Sequence, residues 1–301
     1  MKIVIASAIA WTVLLPGTAT AEQVAPMEAG RITIAYVPPK NPAHQKLYER
    51  MQEIRFLEKL QEILSPVRLP RPLKVETEGC DGEVNAWYAD DKITICYEYV
   101  DDLWKHVPAQ ATPAGVMPVD ALLGPLIDTC LHEFGHAIFE MLQVPVFGRE
   151  EDAADQVSAY IMLNLRKAEA RRLIAGTAYA YKTEVETAAA PPTFTEFSKE
   201  HGTPAQRFYN VLCVAYGADA QLFGDLVAKG YLPKERAEGC EGEYKQVAFA
   251  FRSLIGPHID PQRAREVFGK SWLPGANEAG AAPARPDAAY AAAMILPPPR
   301  P

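Results

Sequence analysis

His132 and His136 stand four residues apart with Glu133 beside them, in the stretch CLHEFGHAIFEMLQVPVFGREEDAADQ of residues 130–156. On a helix, residues at that spacing share a face, so both imidazoles can reach a single ion. A carboxylate next to them is placed to take the proton of a water that such an ion polarises. The chemistry on offer is metal-assisted hydrolysis, and a catalytic centre of this kind wants three protein ligands and one open position. One known route to the third ligand, a glycine and then a histidine further along the same helix, is closed here, because Phe139 and Leu142 hold those positions. The other route is a glutamate on the next helix with an aspartate one turn later. Glu151 and Asp155 have that spacing, whereas the corresponding neighbour of Glu150 is Ala154, which cannot support a histidine. Acidic residues in a first helical turn also suit the helix dipole and need no metal to explain them. Following directly on the paired histidines, Glu151 is read as the third ligand and Asp155 as the support of a ligand histidine.

These residues resemble the gluzincin metallopeptidases, which pair HExxH with a downstream Glu-x-x-x-Asp. More narrowly, EVNAWY, ITICYE, LHEFGHAIFEMLQVPVFGREEDAADQ, FYNVLCVAYG and LPKERAEGCEGEY are similar to a bacterial family of metallopeptidases of unknown function, over roughly residues 31–268. The resemblance implies one Zn²⁺ held by His132, His136 and Glu151, with Glu133 as the acid and base and a peptide or protein as substrate. It implies that Asp155 accepts a hydrogen bond from His132 and so fixes its tautomer. Asn85, Ala86 and Trp87 resemble the edge strand on which thermolysin-like enzymes lay out a peptide. His258 and Tyr244 are candidates for steadying an oxyanion. His44, His106 and His201 have no partner pattern and read as surface residues.

The elements that must position these groups follow from periodicity. Leu123, Ile127, Cys130, Phe134, Ile138 and Met141 form one apolar stripe, which predicts a helix over 119–143 with the histidines off the stripe. Residues 31–39 alternate and end in two prolines, as a strand would. Residues 42–64 read as one amphipathic helix, and LKVETEG, EVNAWYA and KITICYEY as three short strands. Helices are expected at 151 to about 175, 204–217, 219–229 and 234–256. The fold class is α+β: a small N-terminal antiparallel or mixed sheet, then a mainly helical region that the resemblance makes zincin-like.

The N-terminal segment has Lys2, an apolar run from Ile3 to Leu15 and the small triplet Ala19-Thr20-Ala21, the pattern of a secretory signal cleaved after residue 21. The run is too short for a bilayer span, which needs about 20 residues. Residues 22–30 then form a linker, 31–270 the metallopeptidase domain, and 271–301 a Pro/Ala-rich tail with seven prolines that is expected not to pack. Export to the periplasm or the medium makes disulfides favourable. Cys80 and Cys96 flank a hairpin joined at ADDK, Cys213 and Cys240 sit on neighbouring segments, and Cys130 is left as a buried thiol. Losing Lys2 with the signal shifts the net charge from −8 to −9, which opposes attraction to nucleic acid or an anionic membrane. Neither is expected as a partner, and no stable membrane insertion is expected after cleavage. The alternative to an enzyme is a non-catalytic domain that keeps zinc as structure and binds a protein. Such a domain has no need of the base Glu133.

Overall fold

A computed structural model describes residues 31–275. The expected signal segment 1–21, the linker 22–30 and the tail from 276 onward lie outside the described residues. Four strands form one sheet: β1 (Ile32–Tyr36), β2 (Leu73–Glu78), β3 (Ala86–Ala89) and β4 (Lys92–Cys96), in the order β1-β2-β4-β3. β1, β2 and β4 are parallel, and β3 is an antiparallel edge strand. The class is thus α+β with a mixed N-terminal sheet. Asp90 and Asp91, both with positive φ, make the two-residue turn of the β3–β4 hairpin, a turn whose twist matches its strands. Cys80 and Cys96 are disulfide-bonded, so the loop before β3 is tied to the end of β4. Closing a loop of this length is worth about 3 kcal/mol in the chain-entropy model.

The expected helix over 42–64 is two helices, α1 (Gln45–Glu53) and α2 (Phe56–Leu64). Arg55 between them is left-handed at φ 55°. The break resets the helical phase, so Phe56, Leu57, Leu60, Ile63 and Leu64 are buried with the sheet as a separate stripe from Leu47 and Met51. The strand read through Tyr99 stops at Cys96. There α3 (Tyr97–Lys105) begins with Tyr97 buried and its hydroxyl bonded to Val37 and Thr77 oxygens.

The helical region is built around the 24-residue α4 (Pro118–Met141). Its predicted stripe is fully buried, and Leu122, Leu126, Leu131, Ala137 and Phe139 are buried as well, because α4 is packed on several sides. Burying one such side chain contributes about 1.5–3 kcal/mol. α5 (Glu150–Asn164) folds back along α4, where Asp128 meets Ser158, His132 meets Asp155 and His136 meets Glu150. Gly135 permits that approach, since a Cβ there would stand 3.1 Å from Ala154 Cα. The helix expected to continue to about 175 breaks at Leu165, an extended residue turned into the core. α6 (Lys167–Thr187) then runs beside α4 in the same direction, with Gly124 against Gly176 at the crossing.

α7 (Pro204–Ala218) and α9 (Lys234–Ala250) are joined by the Cys213–Cys240 disulfide. Between them only Asp225–Ala228, α8, is helical, and α9 ends in a wide turn at Phe251–Ile255 before α10 (Pro261–Phe268). Cys130 is the free, buried thiol. The first residues of the expected unpacked tail do pack: the Trp272 and Leu273 N–H groups donate to Glu169 on α6, and Leu273 is buried. No described helix is long and apolar enough to cross a membrane.

Candidate metal centre

His132, Glu133 and His136 lie mid-helix on α4, with His132 and Glu133 buried. α5 brings Glu151 over the two histidines. His132 Nε2 lies 2.9 Å and His136 Nε2 3.4 Å from Glu151 Oε2, and the two Nε2 atoms are 3.2 Å apart. Ligand atoms of these three residues thus fall within 4.8 Å of one another. Each histidine has its other nitrogen held by a carboxylate. His132 Nδ1–H donates to Asp155 Oδ1 at 2.7 Å, and His136 Nδ1–H donates to Glu150 Oε1 at 2.8 Å. Those bonds leave the Nε2 lone pairs facing each other and a glutamate oxygen. Three electron-rich atoms so close repel unless a cation or a proton sits among them.

The electrostatics record that need. Burial pulls His132 down, yet its bonds to Asp155 and Glu151 hold it up to about 9. Burial also opposes ionisation of Glu151, but its bonds to His132, His136 and His201 outweigh that and hold it far below the usual carboxylate range. Asp155 is lowered to about 2 despite its burial, by His132 and Arg207. Without a metal, protons on the imidazoles do the cation's work. Two imidazole nitrogens and a carboxylate oxygen are a donor set that suits a divalent transition ion.

Glu133, buried beside the three-residue cluster, lines two cavities. One, of about 380 Å³, lies on the His132 side between α3, α4 and α6. The other, of about 920 Å³, is an open cleft on the His136 side. Burial raises the Glu133 carboxyl, against the pull of His132 and His136, and the Tyr88 backbone N–H on β3 bonds to it. Asn85 and Ala86 line both cavities, and Trp87 and Tyr88 line the cleft. The edge strand therefore runs past the acid, with Ala86 N–H taken by Asn85 Oδ1 at 2.9 Å.

Three residues complete the centre without a sequence pattern to announce them. His201 Nε2 lies 2.7 Å from Glu151 Oε2, and its ring stacks on His132 at 5.5 Å, so it is a wall of the site and not a free surface residue. Glu150 holds His136. Arg207 grips Asp155 through two hydrogen bonds and stacks over Tyr181. His201 and Arg207 are both set by the start of α7. There Thr203 and Gln206 form a capping box, with Pro204 at the first helical position. His258 and Tyr244 sit elsewhere. The His258 carbonyl accepts from Arg68 N–H beside α10, Tyr244 stacks on Tyr160, and neither lines the two cavities beside Glu133. His44 is buried, and His106 is exposed.

Residues 36–255 match the DUF4344 family, whose description reads "Putative metallopeptidase". The chain belongs to this family. The matched segment carries the whole cluster from Asn85 to Arg207 and both disulfides, while His258 and α10 fall beyond it. Curated proteins and solved structures offer no match to the chain. Family membership points to a metal-dependent peptidase, and among the described residues His132, His136 and Glu151 form a group that could hold a metal ion.

Proposed function

We propose that the protein is an exported, zinc-dependent peptidase of the gluzincin type. The observation that carries this reading is the convergence of His132, His136 and Glu151 on one point, with the buried Glu133 beside it and open to substrate space. When bound there, Zn²⁺ supplies a Lewis acid that lowers the pKa of a water toward about 7 and polarises a carbonyl. His132, His136 and Glu151 would hold it. Asp155 and Glu150 keep the two Nε2 lone pairs directed at it, as carboxylates behind ligand histidines do.

The remaining work falls to the chain. Glu133, made more basic by burial, accepts a proton from the attacking water and later delivers it to the departing amine. Water adds across the peptide C–N bond, giving a carboxylate and an amine. β3 is the outer strand of the sheet, and Asn85, Ala86 and Trp87 line the space beside Glu133 along which an extended peptide would lie, with the Ala86 N–H and the Asn85 carbonyl already bonded within the protein. His201, at the rim of the cluster, holds Glu151 through Nε2 in this structure, and once Glu151 is committed to the metal it is the imidazole placed to donate to the oxygen that gains charge in the tetrahedral intermediate. His258 and Tyr244 have no such place. Two disulfides suit an oxidising compartment, and they support the export expected from the N-terminal pattern.

A structural zinc site is closed and needs no base. Here a buried carboxylate faces two cavities, which favours the enzyme over a zinc-stabilised binding domain. The test is hydrolysis of a mixed peptide library by the full chain after removal of any leader. Cleavage that stops with a chelator and returns with stoichiometric Zn²⁺ supports the reading. Cleavage that is indifferent to the chelator would sink it.

A further inference from the structure

The cavity on the His132 side of Glu133 opens directly onto the acid and the start of the edge strand. Its walls are apolar at Val84, Ala86, Leu103, Pro125 and Ala180, surfaces suited to a methylene stem. Its lining carries four carboxylates, Asp102, Asp128, Glu133 and Glu184, against the Arg207 guanidinium and the imidazoles of His106, His132 and His201. Most of these already have partners. Arg207 is committed to Asp155, at 2.6 and 2.8 Å. Asp128 accepts from Ser158 and Tyr181 hydroxyls, and Asp102 pairs with Lys105. Glu133 belongs to the reaction centre.

Glu184, an exposed side chain on the last turns of α6 that lines this cavity, is different. Among the described residues no side chain donates to its carboxylate, and the influences on it are partial desolvation, Arg207, His106 and Asp102. The cavity walls partly desolvate the Glu184 carboxyl and raise it, and the Arg207 and His106 charges do not offset this. An acid in that condition gains most from a cation that enters the cavity. The cleft on the other side is also rich in acids: its lining has Glu133, Glu140, Glu150, Glu151 and Glu200 against Arg149 and the imidazoles of His136 and His201. Electrostatic focusing in such a groove attracts positively charged substrates and repels acidic ones.

We propose that this cavity is the subsite that sets specificity: it takes a lysine or arginine side chain of the peptide next to the scissile bond, with Glu184 as counter-charge. The proposal rests on the peptidase reading above and names its substrate class. The apolar walls cover the stem and Glu184 meets the charged end. Asp102 adds to the field from α3.

The experiment compares twin peptides that differ only in Lys or Met at one position, cleaved by the zinc-loaded full chain and by Glu184→Gln and Glu184→Lys, with metal content measured in each. The wild type is expected to prefer the Lys peptide. Glu184→Gln should lower the ratio of kcat/KM values for Lys over Met by about tenfold, and Glu184→Lys should turn the preference toward a Glu twin. A wild type that cleaves both twins alike, or a Lys preference that survives Glu184→Lys, overturns the subsite and leaves the peptidase intact. A second arm measures binding of the same twins to zinc-loaded Glu133→Gln by calorimetry. Tighter binding of the Lys twin that is lost on adding Glu184→Gln, with no peptide cleaved by wild type, supports the subsite and removes the peptidase reading. Neither cleavage nor selective binding overturns both.

Discussion

Arg207 and Asp155 form a two-pronged ion pair, Nε to Oδ2 at 2.8 Å and Nη2 to Oδ1 at 2.6 Å, on the carboxylate that also receives His132 Nδ1–H. The guanidinium therefore fixes the orientation of the group that orients His132, a ligand in the proposed metal site. Replacing Arg207 by Ala should lower zinc affinity by about ten- to a hundredfold, read by competition with a chromophoric chelator. Arg207→Lys should restore little of it, because an ammonium cannot make the paired, planar contact. Wild-type affinity in Arg207→Ala would remove Arg207 from the centre.

The protonation of the metal-free centre fixes its pH behaviour. His132 is held up to about 9, above its ordinary value of about 6.5. Its contribution to folding is thus fully present below about 6.5 and is lost as pH rises through about 9. Asp155 runs the other way: lowered to about 2, it stabilises above the ordinary carboxylate value of about 4 and is lost as pH falls. Metal-free protein should therefore melt highest in the interval between. Zinc must displace the imidazole protons, so its affinity should rise with pH up to about 9. Calorimetry in buffers of different ionisation enthalpy would register the released protons. A pH-independent affinity would contradict this.

Glu150 and Glu151 are neighbours with separate tasks. Glu151→Gln should abolish stoichiometric zinc. Glu150→Gln touches only the outer nitrogen of His136, from a side chain 55% exposed, and should weaken binding by less than about tenfold. Equal losses in the two variants would undo the assignment of Glu151 as ligand.

His201→Ala separates chemistry from metal binding. An oxyanion donor is worth about a hundred- to a thousandfold in kcat, so that loss is expected with zinc content unchanged. Loss of the metal in this variant would instead make His201 a ligand.

How much of this was legible depended on whether the information was local. The stripe from Leu123 to Met141 names its own helix, and the alternation around Trp87 and Ile93 names the hairpin that brings Cys80 to Cys96. The α+β class and both disulfides follow from such short-range patterns. Where the chain changes phase without glycine or proline, as at Arg55 and Leu165, periodicity runs on through the break, and two helices read as one. The surroundings of the cluster are less accessible still. His201, just before α7, and Arg207, in its first turns, reach Glu151 and Asp155 after a long excursion through α6, and a lone histidine ahead of a Thr-Pro helix start has no metal-ligand spacing. Sequence spacing tests Glu150 only as a ligand, through the aspartate one turn on that it lacks. Its contact with His136 follows from the angle at which α5 crosses α4 at Gly135.

The central claim, that Glu133 serves a metal-dependent hydrolysis, is tested most directly by the kcat/KM of wild type and Glu133→Gln on one cleaved peptide, with zinc counted in both samples. One zinc per chain in each, and a loss of about a hundred- to ten-thousandfold in the variant, is the expected result. A wild type purified without chelator that holds no zinc, or a Glu133→Gln variant that cleaves as fast as wild type, would contradict it.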